Sequence, residues 1–167
     1  MYERSQLRIR GAQPTDIEQI LDLIMQLAIQ EGSPEEVETT REQLEVALFC
    51  DNPKVFVDVV EHPEKDGEIA AFALYWIDFP TWQGKHGIYI EDICVTNELR
   101  RQGIGHALMG HLANICSERG YSRLAWWVKN DNDSAIKFYS DMGADIKDEF
   151  TVRHLSGERL EELARRY

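Results

Sequence analysis

Between His86 and Gly120 the chain reads HGIYIEDICVTNELRRQGIGHALMGHLANICSERG, and three patterns succeed one another within it. His86 to Val95 is rich in β-branched and aromatic residues, the composition of a strand. Gly103 to Arg119 places Ile104, Ala107, Leu108, Leu112 and Ile115 at helical spacing, and Gly120 supplies the stop. Arg100-Arg101-Gln102-Gly103-Ile104-Gly105 joins the two. Glycines there let the backbone approach a ligand closely, the first helical turn offers N–H groups and the positive end of its dipole, and two arginines lie alongside. This is an anion cradle at a strand-to-helix junction. The competing reading is a plain tight turn with solvated arginines; the strand-to-helix junction and the paired basic residues, in a chain otherwise poor in them, weigh toward the cradle.

The residues after the cradle exclude two phosphate ligands. A dinucleotide fold needs G-x-G-x-x-G, and Leu108 stands at the third glycine position. A P-loop needs Gly-Lys-Ser/Thr, and Gly105 is followed by His106 and Ala107.

Around this centre the pattern is mixed. Leu7 to Arg10 alternates like a short strand, and Thr15-Asp16-Ile17-Glu18 has the form of a capping box before the stripe Ile17, Ile20, Leu21, Ile24, Leu27, Ala28. Thr40 to Phe49 predicts a second helix stopped at Asp51-Asn52-Pro53. Val55 to Glu61, Glu68 to Asp78 and His86 to Val95 predict an antiparallel meander, with a hairpin turn at Glu64-Lys65-Asp66-Gly67. Arg123 to Val128 then predicts a strand, Ala135 to Met142 a helix and Glu158 to Arg166 a final amphipathic helix. Strand, helix, strand in the second half implies a right-handed crossover and parallel pairing. The expected class is α/β in one domain over 1–167: a mixed central sheet, antiparallel first and parallel later, flanked by helices.

At 167 residues the chain is long enough to bury a sizeable core without metal or disulfide staples. Its 18 Lys and Arg against 30 Asp and Glu give a net charge of −12, which repels nucleic acid and mildly favours cationic small molecules. Cys50, Cys94 and Cys116 have no C-x-x-C spacing and read as free thiols of a reducing, cytoplasmic compartment. The first residues lack an apolar signal region, and the longest apolar run, Ile69 to Ile77, is half a membrane span, so no membrane association is expected. His86, His106, His111 and His154 show no metal-ligand spacing, and no metal is assigned.

With these motifs in hand, the chain resembles the GNAT superfamily of acyl-CoA-dependent N-acyltransferases, whose pyrophosphate loop runs Q/R-x-x-G-x-G/A. Gly84-Lys85, Tyr89 to Val95, Arg100 to Gly105, Asn132, Ala135 to Tyr139 and Gly143-Ala144 resemble the diamine (spermidine/spermine) and thialysine acetyltransferases. Ile9-Arg10 and Leu27-Ala28 with Glu31 fit as well. The resemblance implies acetyl-CoA as cosubstrate and CoA as product. Main-chain groups of Ile93, Cys94 and Val95 would meet the pantetheine, and Arg100, Arg101, Gln102, Gly103, Ile104, Gly105 and His106 the pyrophosphate. Asn132, Asp133, Ser134 and Ala135 would lie along the cofactor's other side, and Tyr139 would act as general acid. It also implies a homodimer whose carboxyl-terminal arms cross, and a place for Trp82 near the amine pocket and the dimer contact.

Read without the family, Tyr139 is a core aromatic on the face of Ala135 and Met142. Glu91 and Asp92 end an alternating strand and should point to opposite faces unless a β-bulge intervenes. Trp126 and Trp127 are expected as core and helix-packing aromatics. The scheme that the resemblance implies is direct attack by a primary amine of a small cationic substrate, a polyamine, a diamine or a thialysine-like amino acid. Glu91 takes the proton, Glu31 and Asp92 meet a second ammonium, and Cys94 is no nucleophile. Phe150 stands where relatives commonly carry tryptophan, and Arg153 or His154 could meet an α-carboxylate instead. Acetylation of protein amines or aminoglycosides, and a non-catalytic acyl-CoA-binding module, are the competing readings.

Overall fold

The computed structural model describes residues 1–167, which fall into two compact units, Met1–Trp127 and Val128–Tyr167. In the first unit the elements are β1 (Ile9–Gly11), α1 (Ile17–Glu31), α2 (Arg41–Phe49), β2 (Phe56–Glu61), β3 (Ile69–Asp78), β4 (Gly87–Val95), α3 (Ile104–Arg119) and β5 (Leu124–Ala125). The strands lie in the order β1-β2-β3-β4-β5, antiparallel up to β4 and parallel between β4 and β5. The mixed sheet and its flanking helices are as the sequence implied.

Alternation along the strands divides the core. Val57, Val59, Phe72 and Cys94 point to the face covered by α1 and α2, where they pack with Ile17, Ile20, Leu23, Leu44 and Leu48. Ile17 and Ile20 are fully buried, each worth about 1.5–3 kcal/mol of transfer free energy. On the opposite face Asp58 and Tyr75 meet α3. The Tyr75 hydroxyl donates to Asp58 Oδ2 (3.1 Å), and His111 Nε2 lies 3.2 Å from the same oxygen. A buried carboxylate there is held from a strand and a helix at once, which ties α3 to the sheet.

Several boundaries differ from the sequence reading. The box before α1 is built by Gln13 and Asp16 around a 3₁₀ turn at Pro14–Asp16, not by Thr15 and Glu18. Asp16 is recruited there because Arg10 reaches it through both terminal nitrogens (2.6 and 3.1 Å) while its Nε takes Glu61 (2.7 Å). The first strand starts at Ile9, after a 3₁₀ turn at Arg4–Gln6. α2 begins after its N-cap Thr40, whose hydroxyl accepts from Gln43 N. The strand expected over 123–128 is two residues long, since it pairs with β4 only at Ile88↔Leu124 and Tyr89↔Ala125.

The second unit holds α4 (Asp133–Asp141) and α5 (Gly157–Arg166). α4 is capped by Asn132, whose side-chain oxygen accepts from Ala135 N at 3.1 Å. Ile146, Phe150, Val152, Leu155, Leu160 and Leu163 of this unit are exposed.

Candidate active site

The site begins with one residue too many. On β3, Leu74 faces Asp92 but Tyr75 faces Ile90, so Glu91 is the extra residue of a β-bulge. Leu74 and Trp76 share a face of β3, and their partners Asp92 and Tyr89 therefore share a face of β4. It is the face of α1 and α2, because Leu74 packs on that core. A β-bulge therefore does intervene between the two acids.

The electrostatics of Asp92 reflect its burial and its acidic neighbours. Asp92 is half-buried, and its carboxyl is pushed up to about 6, first by burial, then by the charges of Glu91 and of Glu31 at the end of α1. Three carboxylates from two elements gather there, with Glu91 exposed. Such a cluster favours a cation and holds a proton acceptor near neutral pH.

Beside it β4 has a free edge. Its ladder with β5 stops at Tyr89, so Ile90 to Val95 have no β5 partner. Ile93 and Cys94 lie on that open stretch. Val95 is partly engaged: its carbonyl accepts from Arg100 Nε at 3.0 Å. The first arginine of the cradle is therefore folded back on the strand, with its Nη2 also 4.0 Å from Cys94 Sγ. Cys94 is buried and its thiol is pushed up, by burial above all, which suits a packing residue and not a nucleophile.

The loop itself has the backbone of an anion cradle. Arg101 is left-handed (φ 59°), as is Gly103 (φ 90°), the N-cap of α3. Alternating handedness turns successive N–H groups toward one concavity, and the N–H groups of the first turn of α3, which begins at Ile104, have no intrahelical acceptor. Gln102, Gly105 and His106 complete the segment. Tyr2 closes one side of it, its N–H donating to the Gln102 carbonyl at 2.9 Å. No sequence signal marked that contact, because it joins residues a hundred positions apart.

Not every expected residue is brought to this place. Trp82 is 96% exposed in the turn before β4, so its indole is not packed against the carboxylates. Trp127, expected in the core, is 69% exposed and touches Tyr89 edge-on, since β5 ends two residues earlier and leaves it outside the sheet. In the second unit, Tyr139 is half-buried on α4 with its ring 5.1 Å from that of Phe138, and Asn132 to Ala135 form the first turn. Sequence reasoning did not single out Trp76, the cross-strand partner of Tyr89; the alternation was visible, but not the face it shares with Asp92.

A splayed strand, a bulge carrying acids and a glycine loop opening a helix are the elements of an acyl-CoA-dependent transferase. The chain belongs to the acetyltransferase (GNAT) family, whose pattern matches residues 17–144. It is 33% identical to thialysine N-epsilon-acetyltransferase of Bos taurus, over 93% of this chain and 96% of that one. With L-ornithine N5-acetyltransferase of Arabidopsis thaliana it shares 28% identity, over 93% and 87% of the two chains. Among solved structures, an integron cassette protein from the mobile metagenome of V. cholerae superposes with a TM-score of 0.77 at 25% identity, covering 95% of this chain and 98% of that one. The protein is accordingly an amine N-acetyltransferase.

Proposed function

We propose that the protein transfers the acetyl group of acetyl-CoA to a primary amine of a small cationic substrate, within the range of polyamines, diamines and thialysine-like amino acids. The observation that carries this reading is the bulge at Glu91, which sets Asp92 on the face of Tyr89 with Glu91 between them, beside the open edge of β4. The names of the relatives, acting on thialysine and L-ornithine, support an amine borne on a short chain.

The residues fit the cosubstrate. The concave loop from Arg101 to His106 suits a pyrophosphate, and the unpaired edge at Ile93 and Cys94 suits an amide-bearing pantetheine arm. The family resemblance assigns Asn132 to Ala135 to the cosubstrate as well. Acetyl-CoA supplies an acetyl group activated as a thioester; the protein supplies position and proton handling.

An alkylammonium with a pKa near ~10.4 costs about 4.6 kcal/mol to deprotonate at pH 7. Glu91 accepts this proton, directly or through water, and Asp92 and Glu31 hold a second positive charge or share the proton. Main-chain donors beside Cys94 and Val95 face the developing oxyanion, and the Tyr139 hydroxyl donates a proton to the departing thiolate. No covalent enzyme intermediate is needed. We also propose a cytoplasmic homodimer, which the exposed apolar side chains between Ile146 and Leu163 support.

The test is CoA release from acetyl-CoA across spermidine, spermine, putrescine, thialysine, lysine, a basic peptide and an aminoglycoside, with sedimentation to read the assembly. Turnover on a small amine, lost in Glu91→Gln, is the expected result. CoA binding without turnover on any amine overturns it in favour of an acyl-CoA sensor.

A further inference from the structure

The glycine loop before α3 is itself held, by a segment that lies far from it in the chain. Tyr2 donates its main-chain N–H to the Gln102 carbonyl at 2.9 Å, and its hydroxyl donates to Glu64 Oε1 at 2.8 Å in the turn between β2 and β3. After Tyr2 the chain passes through the 3₁₀ turn at Arg4–Gln6, where Glu3 N donates to Gln6 Oε1 at 2.8 Å, and reaches the buried Leu7. This strap is therefore anchored at both ends. It also runs close over the loop, since a Cβ at Gly103 would lie 3.0 Å from the Tyr2 carbonyl oxygen. The missing side chain at 103 makes room for it.

A trans peptide points its C=O and its N–H in opposite directions, and no peptide bond of this chain is cis. With the Gln102 carbonyl fixed on Tyr2, the N–H of Gly103 is directed away from the strap. Glycine itself does not enforce this. It takes φ of either sign with similar ease, so the +90° of Gly103 has an alternative in which the Gln102–Gly103 peptide is turned over. The turned-over peptide presents a carbonyl where the observed one presents an N–H, and an anion is repelled by the first and attracted by the second. We infer that Tyr2 is a positioning residue for the cosubstrate: its N–H selects the orientation of the Gln102–Gly103 peptide that offers an N–H to the pyrophosphate, and its hydroxyl, held by Glu64, keeps it in place. This rests on the reading that the loop takes the pyrophosphate. A single hydrogen bond of this kind weights the two orientations by up to about tenfold.

Calorimetric titration with CoA and with pantetheine, which lacks the pyrophosphate, reads the loop without requiring turnover. The proteins compared are wild type, Tyr2→Pro, which has no N–H to donate, and Tyr2→Phe, which keeps the N–H and loses the bond to Glu64. The expected result is a ratio of Kd for pantetheine to Kd for CoA that is about tenfold lower in Tyr2→Pro and about threefold lower in Tyr2→Phe, with pantetheine binding within about twofold of wild type. An unchanged ratio in Tyr2→Pro overturns the inference. Equal weakening of both ligands also overturns it, since that is the mark of general damage to the fold. Should Tyr2→Pro fail to fold, Tyr2→Phe is judged by the same two readings. A wild type that binds CoA no more tightly than pantetheine overturns the pyrophosphate reading and the inference with it, whereas a preference for CoA that the variants retain in full overturns the inference alone.

Discussion

Tyr89 and Asp92 are three residues apart on one strand and yet face the same side of the sheet, because Glu91 is the extra residue of a bulge between them. In a regular strand residues three apart oppose one another. The inserted residue brings an aromatic and an acidic side chain to one side of the sheet, and the proposed proton transfer is built on that arrangement.

The pH profile of the reaction should report Asp92. Its carboxyl is raised to about 6 by burial and by Glu91 and Glu31, so it gains its charge only as pH rises through that value. We expect kcat/KM at fixed ionic strength to climb with an apparent pKa near 6, and Asp92→Asn to remove or displace that limb.

Stability carries the same signature with the opposite sign. A carboxyl raised in the folded state binds more protons there than in the unfolded chain, so folding loses free energy as pH rises from about 4 to about 6. The cost is complete above that range. Asp92→Asn should therefore stabilise the protein by ~1–2 kcal/mol at pH 8 and by little at pH 4, read by urea denaturation at both values. Equal effects at the two pH values would show that the charge is not what the fold opposes.

Arg10 and Asp16 should behave as a unit. Asp16 is 3% exposed, and although burial works to raise its pKa, the Arg10 hydrogen bonds and the Gln13 N–H hold it below the usual carboxylate range. Arg10→Ala leaves that acid buried without its cation and should cost about 3–5 kcal/mol at pH 7. Since the contribution of Asp16 is lost as pH falls through its depressed pKa, the variant should show a smaller loss of stability on acidification than wild type. Paired denaturation curves at pH 7 and pH 3 measure both.

Gly87 fixes where β4 meets β5. A Cβ there would lie 2.5 Å from Asp78 Oδ1, 2.8 Å from Arg123 Cγ and 3.2 Å from the Arg123 carbonyl. Gly87→Ala should disturb the Asp78–Arg123 pair and cost about 1–3 kcal/mol in thermal or chemical unfolding. A neutral effect would mean that this corner shifts freely.

Tyr139→Phe keeps the ring and removes the proposed proton donor. We expect kcat to fall about a hundredfold, within the range for general acids, with the loss largest for acyl donors whose thiol leaves poorly. A kcat within twofold of wild type would return Tyr139 to the packing role that its helical face alone suggests.

Element order, the α/β class and the anion loop were legible in the chain because each rests on local periodicity: Leu44 and Leu48 on one helical face, glycines at 103 and 105 ahead of Ile104. The acids at 91 and 92 were legible as candidates. What local pattern could not supply was their direction, since a bulge is set by pairing with β3, a strand thirteen or more residues earlier in the chain. For the same reason Trp126-Trp127 read as core: a run of apolar residues predicts burial, but burial depends on how far the neighbouring strand continues, and β5 ends at Ala125. The recruitment of Asp16 by Arg10, the return of Arg100 onto Val95 and the closure of the loop by Tyr2 are likewise products of chain segments meeting in space. The sequence by itself determined the elements, the family and the residue types available for amine acetylation. Only the tertiary structure decided which of those residues share a face, because side-chain direction in a sheet is a property of the register between strands and not of either strand alone.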